Sequence, residues 1–279
     1  MVKIDSHQHF WKYDPSRESW ITEEMSVIRK NFLPGDLYPF LDANSFDGCI
    51  AVQSDQSEAD NEFLLALADQ NNFIRGVVGW IDLTSEVVES RIAHYKQFKK
   101  FKGVRHVLQA ESQRDYMLRP SFLRGLNLLQ KYQLAYDILI YPDQLEFMEE
   151  FIRNFSDEQV FVLDHIAKPN IKDKSIGAWK KGIEAIARFP NLYCKVSGMV
   201  TEADWTSWKA SDFTPYLNVI FESFGIERVL FGSDWPVCLV ASSYEKTVQL
   251  LEDYMSKFSD FERSCFWGKN AVKAYNLEL

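Results

Sequence analysis

The chain has 279 residues, of which 46% are hydrophobic and 25% are charged, and its formal net charge is −9. These proportions are typical of a soluble globular protein, and the acidic balance argues against nucleic acid or an anionic membrane as a partner. No apolar run reaches the ~18 residues that a bilayer span requires, and the first residues lack the apolar core of a signal peptide. The four cysteines are dispersed without a CxxC pair, which predicts reduced thiols in a cytoplasmic protein.

Eight short β-rich runs alternate with longer amphipathic patterns along the chain. Strands are predicted over Val2–Ser6, Gly48–Gln53, Ile74–Ile81, Gly103–Val107, Leu134–Ile140, Val160–Asp164, Leu192–Val196 and Val229–Gly232. Helices are predicted over Ser57–Gln70, Ser85–Phe98, Pro120–Lys131, Pro142–Asn154, Gly177–Ala187, Thr214–Phe224 and Ser243–Phe258. Repeated strand-helix units require parallel pairing and predict an α/β fold, a (β/α)₈ TIM barrel in a single domain over residues 1–279. An open doubly wound sheet would call for a glycine-rich phosphate loop, which the sequence lacks.

Two histidines end the first predicted strand. With a period of two residues, Asp5, His7 and His9 share one face, and Val2 and Ile4 share the other. We expect the apolar face to meet the helices and the polar face to point into the barrel. The histidines then lie at the carboxyl end of the strand, where barrel active sites are found, and they could bind a metal or one substrate oxygen. The alternative is a pair of exposed loop histidines.

Two further candidates follow later strands. Asp234 comes directly after the eighth strand, where a carboxylate can ligate a metal or act as a general base. By itself it would more often be a turn residue or a helix cap. Asp164 and His165 end the sixth strand with opposite parity, so only one of them should face inward, and we choose His165.

Weaker candidates for substrate binding lie near the ends of the other strands. Arg105 and His106 are adjacent, so one of them should point into the pocket, with Arg105 slightly preferred. Trp11 and Trp235 could stack on a sugar face, although tryptophan is also common in cores. The full set of predicted substrate-binding residues is Trp11, Gln53, Trp80, Arg105, His106, Tyr141, Lys168, Lys195, Glu202 and Trp235.

Several motifs together resemble the amidohydrolase superfamily. They are Ile-Asp-Ser-His-Gln-His-Phe-Trp from Ile4, Gly-Val-Arg-His from Gly103, Asp-His-Ile-Ala-Lys-Pro from Asp164, Lys-Val-Ser-Gly from Lys195 and Phe-Gly-Ser-Asp-Trp-Pro from Phe231. Within that superfamily they look like the group of predicted metal-dependent hydrolases that includes sugar lactonases and a pyrone dicarboxylate lactonase. The resemblance spans nearly the whole chain in the right order.

The resemblance implies that His7, His9, His165 and Asp234 form the active site, with Asp234 as the general base in lactone hydrolysis. Superfamily members with a tight metal site usually add a histidine or a modified lysine near the ends of strands four and five. Strand five offers no histidine here, and Asp137 lies early in the strand. Two alternatives therefore stay open: a divalent metal, zinc first, held by these four residues, or no metal.

The predicted substrate is a sugar-acid lactone, with L-fuconolactone favoured, because tryptophan, tyrosine, glutamine and serine suit a neutral polyol. A pyrone dicarboxylate would require more convergent arginine or lysine residues than the sequence places near the site. Two other hypotheses are a metal-dependent decarboxylase of the same superfamily and a catalytically inactive barrel that binds sugars. No nucleic acid or membrane partner is expected, and a homo-oligomer is compatible with the sequence.

Overall fold

Eight parallel strands follow one another in chain order around one sheet in the computed structural model, which describes residues 1–279. The strands are β1 (Ile4–Gln8), β2 (Gly48–Val52), β3 (Ile74–Gly79), β4 (Phe101–His106), β5 (Ala135–Ile138), β6 (Phe161–Leu163), β7 (Leu192–Val196) and β8 (Val229–Phe231). The ring closes where Asp234 N donates to His7 O at 2.8 Å and His9 N donates to Trp235 O at 2.7 Å. The predicted (β/α)₈ barrel is confirmed.

Helices connect successive strands and cover the outside of the sheet. They are α1 (Pro34–Ala43), α2 (Glu58–Gln70), α3 (Val88–Tyr95), α4 (Pro120–Lys131), α5 (Leu145–Ile152), α6 (Gly177–Ile186), α7 (Ala210–Phe224) and α8 (Tyr244–Met255), followed by α9 (Asp260–Ser264) and α10 (Asn270–Ala274). Ser57 and Ser243 cap α2 and α8 by accepting backbone N–H groups, which explains why these helices begin there. The sequence patterns did not predict α1, α9 and α10. No helix is long and apolar enough to cross a membrane.

Apolar side chains fill both sides of the sheet. The larger cluster lies between strands and helices, and a smaller one fills the inside of the barrel. The smaller cluster includes Ile4, Val52, Val162 and Leu230 from the strands, with Tyr275 from the C-terminal segment packed against them. One end of the barrel is therefore sealed, and polar side chains occupy the other end.

The predicted faces of β1 are wrong for Asp5 and Ile4. Ile4 belongs to the cluster inside the barrel, while Asp5 accepts a hydrogen bond at 3.2 Å from Tyr244 of the outer helix α8. The register against β2 shifts between Asp5 and Gln8, so β1 carries a bulge. A bulge adds one residue and reverses the alternation beyond it. His7 therefore points into the barrel although Asp5 points out.

Gly125 of α4 packs tightly against the loop after β3. A Cβ at this position would lie 1.9 Å from the carbonyl oxygen of Leu83. We expect Gly125→Ala to destabilise the protein by about 1–3 kcal/mol, the cost of overpacking, although alanine is the better helix former. Urea unfolding measures the free energy of unfolding. The matched control is Gly177→Ala in α6, where a Cβ meets nothing within 4 Å; equal stabilities of the two variants would contradict the prediction.

Candidate active site

Three imidazoles and one carboxylate meet at the open end of the barrel. The Asp234 carboxylate oxygen Oδ1 lies 3.4 Å from His9 Nε2 and 3.9 Å from His7 Nε2. The ring centroid of His7 lies 5.0 Å from that of His9 and 4.3 Å from that of His165. Residues from β1, β6 and β8 thus form one cluster, although up to 227 positions separate them along the chain, from His7 to Asp234.

Hydrogen bonds to Nδ1 orient two of the imidazoles. His9 Nδ1 lies 2.8 Å from the carbonyl oxygen of Val52, which can only accept, so Nδ1 carries a proton and Nε2 is the nitrogen that faces Asp234. His165 Nδ1 contacts Ser197 Oγ at 2.9 Å. Partners of this kind fix the ring orientation and the tautomer of metal-binding and catalytic histidines.

The turn after β6 brings both Asp164 and His165 to the site, so the expectation that only one of them faces inward is wrong. Asp164 keeps the inward parity of the strand. The four residues His165–Lys168 then adopt left-handed φ angles between 46° and 57°, which direct the His165 ring towards the same centre. Such a backbone costs roughly 1–2 kcal/mol per non-glycine residue. The surroundings hold this turn: Trp179 Nε1, for example, donates to the carbonyl oxygen of Ile166 at 2.7 Å.

A layer of buried charged side chains lies next to His7. Asp164 Oδ1 is 3.3 Å from His7 Nδ1 and 3.1 Å from Lys195 Nζ, and Asp164 Oδ2 is 3.2 Å from Arg105 Nη1. Lys195 also pairs with Asp137 of β5. Two cations and two carboxylates therefore neutralise one another inside the barrel. Lys195 was predicted to bind substrate, but it lies below the cavity wall with no exposed surface.

Electrostatics keep the two site carboxyls ionised and His165 neutral. Burial alone would raise the pKa of Asp234, but His165, His9 and His7 outweigh it and hold the pKa below its usual range. Burial likewise opposes ionisation of Asp164, yet Lys195 and His7 hold its pKa well below the ordinary value. Burial lowers the pKa of His165 to about 4. Asp234 is thus available as a proton acceptor at neutral pH.

The strand parity of β4 separates Arg105 from His106. Arg105 faces the barrel centre, where its Nη2 donates to the carbonyl oxygen of Gln53 at 2.6 Å. His106 points towards the helices, where its Nε2 lies 2.7 Å from Glu111 and its ring stacks on Tyr116. His106 therefore does not line the cavity, which corrects its predicted place in the substrate site.

A cavity of about 370 Å³ lies above the cluster. Of the predicted residues, it exposes His9, Arg105, His165, Lys168 and Asp234. The rest of its wall comes from residues that were not among the predicted substrate-binding set, namely Arg17, Ser19, Trp20, Ser54, Asp55, Gln56, Val107, Gln109, Ala110, Leu139 and Val237. Most of these residues directly follow the ends of β2 and β4 or lie in the β1–α1 segment. Their position just after a strand is therefore the feature of the sequence from which they could have been predicted.

The predicted stacking tryptophans are core residues. Trp11 and Trp235 are each 1% exposed and pack edge-on against Phe32, at centroid distances of 5.6 Å and 5.1 Å. Trp20 takes the place expected for them, because it is 41% exposed and lines the cavity. Trp11 supports it from behind in an edge-on contact at 5.8 Å.

The remaining predicted substrate residues lie outside the cavity wall. Trp80 donates its indole N–H to His106 at 3.3 Å, and Gln53 is fully buried. Glu202 is 3.5 Å from the Lys168 ammonium, which lies 5.8 Å from the centre of the Tyr141 ring. Four predicted side chains therefore contact neighbours of the cavity without lining it themselves, namely those of Gln53, Trp80, Tyr141 and Glu202.

Comparison with known proteins places this arrangement in a family. The amidohydrolase family model matches residues 4–277. This chain belongs to the amidohydrolase family. The L-fucono-1,5-lactonases of Burkholderia multivorans and Burkholderia ambifaria are 37% and 33% identical to it, each over 99% of this chain and 96% of the relative. A crystal structure of a Burkholderia multivorans amidohydrolase with bound zinc is 38% identical over the full length of both chains, with a TM-score of 0.95.

The donor atoms of this amidohydrolase fit a divalent cation. Candidate ligand atoms of His7, His9 and Asp234 lie within 4.8 Å of one another, and all three residues are buried. Imidazole nitrogens with a carboxylate are a common donor set for zinc and similar metals. A second group, His7, Asp164 and His165, meets the same distance limit. In that group, however, Asp164 already pairs with Arg105 and Lys195.

The buried charge layer gives a stability prediction. Lys195→Met would leave Asp137 and Asp164 without their shared ammonium partner, and breaking a buried pair typically costs about 3–5 kcal/mol. We expect a loss of this size in the free energy of unfolding, measured in urea at pH 7. The control is Lys131→Met, which breaks an exposed pair with Glu89 and should cost less than about 1 kcal/mol. Similar losses in the free energy of unfolding for the two variants would show that the buried layer stabilises the protein no more than an exposed ion pair does.

Proposed function

We propose that this amidohydrolase opens the ring ester of a sugar-acid lactone, with L-fucono-1,5-lactone as the first candidate. The observation that carries the proposal is the Asp234 carboxylate, held among three imidazoles at the floor of a cavity of about 370 Å³. The two L-fucono-1,5-lactonases that resemble the chain over nearly its whole length support the choice of substrate.

In the proposed mechanism, Asp234 removes a proton from a water molecule whose oxygen attacks the lactone carbonyl carbon. His165 stabilises the oxyanion that develops, because its Nε2 can donate when its Nδ1 accepts from the Ser197 hydroxyl, and a preorganised donor at such a position contributes several kcal/mol. The ring carbon–oxygen bond then breaks, and the proton held by Asp234 passes to the departing alkoxide. The net result is addition of one water molecule and release of the open hydroxy acid.

We further propose that the divalent cation is zinc, held by His7, His9 and Asp234. The zinc in the similar Burkholderia multivorans structure supports this choice. When bound, zinc acts as a Lewis acid on the carbonyl oxygen and lowers the pKa of water. The Nδ1 contact of His9 with Val52 holds the free Nε2 in the tautomer that such a ligand needs.

The cavity wall favours a neutral polyol over a dicarboxylate. Arg17, Arg105 and Lys168 line the cavity, but each already has a carboxylate partner, in Glu18, Asp164 and Glu202 respectively. Ser54, Asp55, Gln56 and Gln109 supply neutral or acidic groups that can bind sugar hydroxyls.

All four cysteines are buried free thiols, which supports a cytoplasmic location.

Asp234→Asn tests the general base. Because asparagine cannot accept the water proton, kcat should fall by about 10²–10⁴, the usual contribution of such a base. Turnover is measured with a pH indicator on L-fucono-1,5-lactone and a panel of other aldonolactones and pyrone dicarboxylate, with and without chelator. The surface variant Asp253→Asn should keep wild-type turnover. A folded Asp234→Asn variant with full activity would remove Asp234 from the mechanism.

Trp20→Ala tests the cavity wall as a sugar platform. Loss of one aromatic face against a sugar ring should raise KM about tenfold, equivalent to roughly 1.4 kcal/mol, with a smaller change in kcat. Steady-state kinetics on the preferred lactone separate the two constants. Tyr38→Ala is the control, because Tyr38 is 49% exposed but lies on α1 away from the cavity. An unchanged KM for Trp20→Ala would exclude stacking at this residue.

A further inference from the structure

Arg105 contacts the same nitrogen of His7 that the proposed metal site requires. Its Nη1 lies 3.3 Å from His7 Nε2, and that nitrogen is also the one that faces Asp234 Oδ1, at 3.9 Å. The other ring nitrogen, Nδ1, lies 3.3 Å from both Asp164 Oδ1 and Lys195 Nζ. Each nitrogen of His7 therefore has a cationic side chain beside it.

The two cations differ in how well their charge is offset. Lys195 is paired with both Asp137 and Asp164, whereas Arg105 shares only Asp164 and otherwise donates to the neutral carbonyl of Gln53. Arginine has no acceptor atom and stays protonated in proteins. The Arg105 contact therefore uses the single lone pair of His7 Nε2, which a metal would also need.

Arg105 is also held firmly in this position. Its side chain is 5% exposed, and it donates to Asp164 Oδ2 at 3.2 Å and to Gln53 O at 2.6 Å. A guanidinium fixed in a buried site keeps its charge close to any ion that binds His7, and repulsion between like charges is strong at such distances. Metal entry must therefore break the contact between Arg105 and His7 or work against it.

From this geometry we infer that Arg105 and a divalent cation compete for His7 Nε2, so that Arg105 sets the metal affinity of the site. The inference rests on the proposed metal site, but not on the identity of the lactone. Arg105 thus acts on the metal through His7 and is a positioning residue.

The test is zinc affinity, measured by competition with a fluorescent chelator on metal-stripped full-length protein. Arg105→Gln removes the charge and keeps a donor, so it should bind zinc at least tenfold more tightly than wild type. Arg105→Lys keeps the charge and should stay within threefold. The matched control is Lys168→Gln, which removes a cation of the same cavity whose partner is Glu202, and it should also stay within threefold. Zinc affinity of Arg105→Gln equal to or weaker than wild type would overturn the inference.

A measurement on wild-type protein covers the case in which Arg105→Gln does not fold. In protein labelled with ¹⁵N-arginine, zinc should shift the guanidinium signal that Arg105→Lys lacks, and an unchanged signal at zinc saturation would overturn the inference. Neither experiment contains a lactone. Failure to hydrolyse any lactone would therefore refute the proposed function without affecting the inferred competition between Arg105 and the metal. Conversely, unchanged zinc affinity in Arg105→Gln would refute the competition without affecting the proposed function.

Discussion

The carboxylate of Asp164 links three buried positively charged or polar groups into one layer. It contacts Arg105 with one oxygen and both Lys195 and His7 with the other, all inside the barrel. Removing two cations from water is costly, so they are stable there only because Asp164 and Asp137 share the layer. This layer orients the His7 ring, whose other nitrogen faces Asp234.

The site has two parts, one built at the strand ends and one built from loops. The tyrosine hydroxyl of Tyr275, from the C-terminal segment, donates to Asp137 at 2.7 Å, so the sealed end of the barrel braces the charged layer. Above that layer the strand ends hold the cluster of three histidines and Asp234. The cavity wall instead comes from loops, among them the long β1–α1 segment that supplies Arg17 and Trp20. The cluster and the cavity wall therefore come from different parts of the chain, as is general in this fold.

Backbone conformations that side chains rarely adopt occur where the site needs them. His165 has φ 53° and Asp234 has φ 58°, and both residues are buried at the cavity floor. A regular strand would point alternate residues away from the centre. The left-handed turns bring both side chains to it, and the dense packing around them offsets the cost. The bulge in β1 serves the same purpose for His7.

The amino-acid sequence alone determined the barrel and the four residues of the cluster, because strand-helix alternation and strand-end polar residues are local patterns. It could not decide which residues face inward. Because of the bulge in β1, Ile4 faces inward and Asp5 outward, the opposite of the predicted faces. Because of the left-handed turn after β6, both Asp164 and His165 face inward. These departures depend on pairing with distant strands, which no local period encodes. Nor could it choose Trp20 over Trp11 and Trp235, since exposure of an aromatic ring is decided by what packs against it from elsewhere in the chain. Only the tertiary structure placed Arg105 on His7, across 98 positions of sequence.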